Sequence, residues 1–138
     1  MSETETVQTA SLARPVVLED DSLAGVAHAR DVARAFAENL DPPPAAESAE
    51  TLALVVSELA TNALRHGGGR YRMRLNADAD GLHVAVSDPS PTPPRERTPD
   101  LDGGAGGFGW PMIRCLASGV TIVPGPGTGK TILAAVPR

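Results

Sequence analysis

The chain has 138 residues, 41% hydrophobic and 21% charged, with a net charge of −5 and a single cysteine. That length suits one domain with a real core, and is too short for two. One cysteine excludes an internal disulfide framework, and Cys115 with His28, His66 and His83 lacks the spacing of a zinc site. The acidic balance without a Lys/Arg block argues against direct nucleic-acid binding, and an aromatic content of 3% leaves few rings to stack on bases.

Residues 1–13 read as a disordered tail. The stretch Met1 to Ser11 is polar and acidic, with no apolar run for a signal peptide or membrane anchor, so a cytoplasmic chain is expected. Pro15-Val16-Val17-Leu18 suits a short edge strand, where proline is tolerated. Asp20-Asp21-Ser22 then offers N-caps for a helix carrying Leu23, Val26, Ala33, Phe36, Ala37 and Leu40 on one side. Asp41-Pro42-Pro43-Pro44 stops it. A second helix is expected from about Ala45 to His66, with Leu52, Val55, Val56, Leu59 and Ala63 as its apolar stripe. Gly67-Gly68-Gly69 ends it with residues that accept left-handed angles.

The period then changes to two. Tyr71, Met73 and Leu75 alternate with Arg70, Arg72 and Arg74, and Leu82, Val84 and Val86 alternate with His83, Ala85 and Ser87. With Asp78-Ala79-Asp80-Gly81 between them, these form a β-hairpin with one buried face. Residues 89–109 are a Pro-rich and then Gly-rich loop, of a length that inside a compact domain marks either a functional segment such as a lid or a disordered one. Pro111 fits the first turn of a short helix through Met112, Ile113, Leu116 and Ala117. Strands at Val120 to Val123 and Thr131 to Val136 flank the turn Pro124-Gly125-Pro126-Gly127. This order predicts an α+β fold over residues 14–138, a two-layer α/β sandwich with helices on one face of a mixed, mostly antiparallel sheet.

On the second helix Glu58, Asn62 and His66 are spaced i, i+4, i+8 and share one flank, drifting by roughly 40° per step. They lie at the border of core and solvent, where a pocket wall would run. By spacing alone these are the polar shoulders of an amphipathic helix. The wider string Val56-Ser57-Glu58-Leu59-Ala60-Thr61-Asn62-Ala63-Leu64-Arg65-His66-Gly67 resembles the asparagine box of the GHKL (Bergerat-fold) ATPase superfamily, closest locally to the bacterial anti-sigma-factor serine kinases. The resemblance implies that Asn62 ligates Mg²⁺ beside the phosphates of ATP and that Glu58 is the general base. The chemistry is apt, because an amide oxygen is a hard neutral ligand and a carboxylate one turn away can accept a proton. His66 either borders the phosphates or closes the helix against its C-terminal dipole.

Downstream, Val86-Ser87-Asp88-Pro89-Ser90 ends a strand with an aspartate, and the resemblance makes Asp88 the acceptor for the adenine amino group, although Pro89 and Ser90 replace the usual glycines. As a plain structural feature, Asp88 is a strand-ending aspartate before proline. Gly106-Gly107-Phe108-Gly109-Trp110-Pro111-Met112-Ile113 resembles the second glycine box, so Gly106, Gly107 and Gly109 would meet phosphate at a helix N-terminus. Gly103 and Gly104 are a second candidate set, which the helix register after Gly109 disfavours. Gly129-Lys130-Thr131 imitates the end of a P-loop, but Pro124 stands where that motif needs glycine and a strand follows where it needs a helix. The resemblance gives Thr131 a place beside adenine instead.

The resemblance implies a serine kinase that uses ATP and Mg²⁺ on a STAS-domain anti-sigma factor antagonist, with a sigma factor as second partner and a possible homodimer. The alternative is a nucleotide-dependent protein-binding module without kinase activity. A histidine-kinase fragment with His28 as phosphoacceptor is a third reading, disfavoured because the chain lacks long dimerisation helices.

Overall fold

A computed structural model describes residues 15–93 and 109–138. The tail at 1–13 and most of the expected lid, including Gly103, Gly104, Gly106 and Gly107, lie outside the described residues.

Strand β1 spans Val16–Asp20, helix α1 Val26–Glu38, helix α2 Ala46–His66, β2 Tyr71–Ala77, β3 Gly81–Asp88, α3 Gly109–Leu116, β4 Gly119–Pro124 and β5 Lys130–Pro137. The five strands make one open sheet in the order β1-β2-β3-β5-β4. All four pairings are antiparallel, so the mixed element of the expectation is absent from the described strands. β1 is an edge strand, as its leading proline requires.

The entry to α1 differs from the sequence pattern in one respect. Ser22 does act as a cap, its Oγ accepting the N–H of Ala24 at 3.1 Å, but the cap opens a 3₁₀ turn over Leu23–Gly25. The tighter winding of that turn takes Leu23 off the apolar side, and it is 50% exposed instead of buried. From Val26 onward the helical period holds, and Val26, Ala29, Ala33, Phe36, Ala37 and Leu40 are buried.

Helix α2 is the spine of the helical layer. Leu52, Val55, Val56, Leu59 and Ala63 are at most 1% exposed, and the helix contacts α1, α3, β2, β3 and β5. Arg34 of α1 clamps Glu50 of α2 through two hydrogen bonds, Nε to Oε2 at 2.9 Å and Nη2 to Oε1 at 3.2 Å. That pair marks the flank of α2 that faces α1. The opposing sheet face is the one on which Met73, Leu75, Leu82, Val84, Val86, Ile132, Ala134 and Val136 alternate inward. Ile113 of α3 closes the core at 0% exposure. Among the described residues no helix is long and apolar enough to cross a membrane.

Leu59 sits where the stripe of α2 meets the sheet, with no solvent exposure. Leu59→Ala should therefore cost about 2–5 kcal/mol, the range for a truncated core leucine. Urea unfolding followed by circular dichroism measures it, and a loss below about 1 kcal/mol would contradict this placement.

Candidate nucleotide site

The backbone alternation of the sheet decides which polar residues meet. In β3, Leu82, Val84 and Val86 point to the core, and two residues on Asp88 points the same way. In β5, Ile132, Ala134 and Val136 point to the core, so Lys130 does too. The register pairs Asp88 with Lys130 directly. Their charged ends meet beneath the helical layer, Lys130 Nζ donating to Asp88 Oδ1 at 2.9 Å with both side chains at most 6% exposed. Lys130 Nζ also donates to the carbonyl of Ser90 at 3.1 Å, and Asp88 Oδ1 accepts the N–H of Ser90 at 2.9 Å.

Two glycines make room for Asp88, one beside its carboxylate and one beside its backbone. A Cβ at Gly67, just past α2, would lie 2.4 Å from Asp88 Oδ2. A Cβ at Gly129 would lie 2.0 Å from the Asp88 carbonyl oxygen. Helix end and strand start thus close on Asp88 from two sides, in a cradle that any side chain would fill. The turn into β5 is tight as well, with Gly125 and Gly127 at φ values of +88° and +60°.

The same alternation separates Thr131 from Asp88. Thr131 lies on the outer face of the sheet, where its Oγ1 is 2.7 Å from Ser87 Oγ and donates to the Gly125 carbonyl at 2.8 Å. The register therefore places Lys130, and not Thr131, on the sheet face that Asp88 occupies. The signal was in the sequence, because Lys130 is in phase with Ile132, Ala134 and Val136, and Asp88 with Val86.

Glu58 and Asn62 lie on the flank of α2 turned away from Glu50 and α1, by the helical spacing. Both are half-buried. The Nδ2 end of the Asn62 amide is fully buried with no hydrogen-bond partner. Burial raises the Glu58 carboxyl above its ordinary pKa, with desolvation as the cause. His66 is exposed at the end of α2, next to the glycine that abuts Asp88. Gly109 is the first residue of α3.

Along α2, Asn62 lies about 6 Å from Glu58 and about 7.5 Å from Gly67, so the amide sits midway between the carboxylate and the Asp88 cradle. Among the described residues no three His, Cys, Asp or Glu side chains cluster as a metal site. A Mg²⁺ ion carried by phosphates needs only one or two protein ligands. A separate cleft of about 420 Å³ lies over β1 and β2, lined by Glu19, Asp20, Asp21, Arg70 and Tyr71, and none of the expected site residues borders it.

The family model of the histidine kinase-like ATPase domain matches residues 20–135. The chain belongs to that family. The match runs from the end of β1 through β5 and takes in Glu58, Asn62, Asp88 and Lys130. The family assignment makes this an ATP-binding domain of the GHKL type. No match was found among curated proteins. The residues present fit a nucleotide, because the buried Nδ2 of Asn62 has no partner and Asp88 Oδ2 accepts no hydrogen bond from the described residues.

Two outcomes follow from this geometry. Gly129→Ala should lower stability by about 1–3 kcal/mol, the usual cost of forcing a backbone shift in a packed site. Thermal unfolding reads it, and an unchanged midpoint would contradict the close approach to Asp88. Glu58 behaves in the opposite sense. Its folded pKa is raised, so ionising it opposes folding, and the penalty is absent below the unfolded value of about 4.3. Glu58→Gln should therefore unfold at higher urea than wild type at pH 7, and the gap should close as pH falls toward about 4. A variant less stable than wild type at pH 7 would contradict the burial.

Proposed function

We propose that this histidine kinase-like ATPase domain is an anti-sigma-factor-type regulator that transfers the γ-phosphoryl group of ATP to a serine of a STAS-domain antagonist. The observation that carries this reading is the placement of Glu58 one helical turn before Asn62, half-buried and with its carboxyl raised by desolvation. A general base works best when its pKa approaches the working pH, and burial moves Glu58 in that direction.

In this reading Glu58 takes the proton from the serine hydroxyl as its oxygen bonds to the γ-phosphorus. The bond from that phosphorus to the β-phosphate oxygen breaks, and ADP leaves. Asn62 holds the phosphate end, where a bound Mg²⁺ would neutralise developing charge, and Asp88 holds the base end. Phosphoryl transfer depends mainly on such positioning and charge stabilisation. A sigma factor as second partner, a homodimer and a cytoplasmic setting belong to the same proposal, which rests for them on the likeness of the asparagine box to that of the anti-sigma kinases.

The test is transfer of labelled γ-phosphate to STAS-domain proteins from the same cell, with ATP affinity measured in parallel. Glu58→Gln should bind ATP within about threefold of wild type and lose transfer by a factor of about 10² or more, the contribution of a positioned base. Asn62→Ala should lose the Mg²⁺-dependent part of ATP affinity. ATP bound by wild type without transfer to any such protein would assign the chain instead as a nucleotide-dependent binding module.

A further inference from the structure

The pair at the centre of the cradle has unspent hydrogen-bonding capacity on both sides. An ammonium carries three N–H donors. Lys130 Nζ uses one on Asp88 Oδ1 and one on the Ser90 carbonyl, and the third has no acceptor among the described residues. Asp88 accepts both its hydrogen bonds through Oδ1, from Lys130 and from Ser90. Its Oδ2 lies against Gly67 and accepts none from the described residues. A donor and an acceptor are therefore left unused on two ion-paired side chains that are at most 6% exposed, where each unmade hydrogen bond is costly.

The Watson–Crick edge of adenine presents the complement, an amino donor at N6 beside an acceptor at N1. A guanine held the same way would set its O6 against the carboxylate and its N1–H against the ammonium, so both contacts would repel. Thr131 cannot supply the second contact, because its hydroxyl is on the other face of the sheet and is engaged by Ser87 and Gly125.

We infer that Lys130 is a base-reading residue of this site, donating its third N–H to N1 of adenine while Asp88 accepts from N6. The inference rests on the ATP-binding reading above and adds a specificity-determining residue to it. Lys130 has a second duty in the same place, since it neutralises a carboxylate that would otherwise stand alone and dehydrated beside the C-terminal end of α2.

The experiment compares binding of ATP and of 1-deaza-ATP, which keeps N6 but replaces N1 by a carbon. Both are measured by calorimetry with wild type and with Lys130→Met. Wild type should prefer ATP by about tenfold to a hundredfold, the worth of a charge-assisted hydrogen bond. Lys130→Met should bind the two nucleotides within about threefold of each other. Equal preference for ATP in both proteins, or no preference in wild type that binds ATP, would overturn the inference and leave the ATP-binding reading standing. Failure of wild type to bind ATP at all would overturn both. Loss of the buried cation can unfold the variant, so a second measurement uses wild type alone. The nitrogen-15 resonance of N1-labelled ATP should move upfield on binding, as it does when N1 accepts a hydrogen bond, and an unshifted resonance would overturn the inference.

Discussion

A carboxylate and an ammonium taken out of water together are the constraint on which this domain turns. Breaking such a pair by removing one partner costs far more than the pair itself contributes, because the survivor is left charged and dehydrated. Asp88 and Lys130 sit at the ends of neighbouring strands and are covered by the end of α2, so strand register and helix position are both fixed where they meet. The end of a helix is partly negative, and a carboxylate placed there needs a positive charge nearby. Lys130 provides it.

The rest of the fold aligns itself to that point. Helix α2 is anchored by an apolar stripe whose members are all but sealed from solvent, and by the Arg34–Glu50 clamp on the side facing α1. Those two attachments determine its rotation, and its rotation presents Glu58 and Asn62 on the remaining flank. The polar flank carries a cost, in the desolvation of Glu58 and the unpartnered amide of Asn62. Groups held in such a state by a packed scaffold are the usual mark of a site shaped for a ligand.

Most of this was legible in the sequence, for physical reasons that can be named. The long stripe of α2 and the strict alternation in β2 and β3 each repeat often enough to fix both element and face. The asparagine box could be placed because its residues are close in sequence and share one helix. Leu23 was misplaced because a 3₁₀ turn and an α-helix share the same capping residue, and one turn of sequence cannot tell them apart. The Asp88–Lys130 pair was harder to see for a different reason. Facing across a sheet alternates with every residue, so Lys130 and Thr131 lie on opposite sides although they are adjacent in sequence. The asparagine box was read within one element, whereas Asp88 and Lys130 are 42 positions apart and needed the strand register to bring them together.

The two glycines that border Asp88 have a meaning for how this sequence can vary. Residues 67, 88, 129 and 130 come from the end of a helix, two different strands and the turn that leads into one of them, yet each occupies space or charge that another requires. A change at one is felt at the others. Asn at 88 strands the ammonium, a larger residue at 67 displaces the carboxylate, and a side chain at 129 pushes on the Asp88 backbone. The cost of a substitution at any of these four positions therefore depends on which residues occupy the other three.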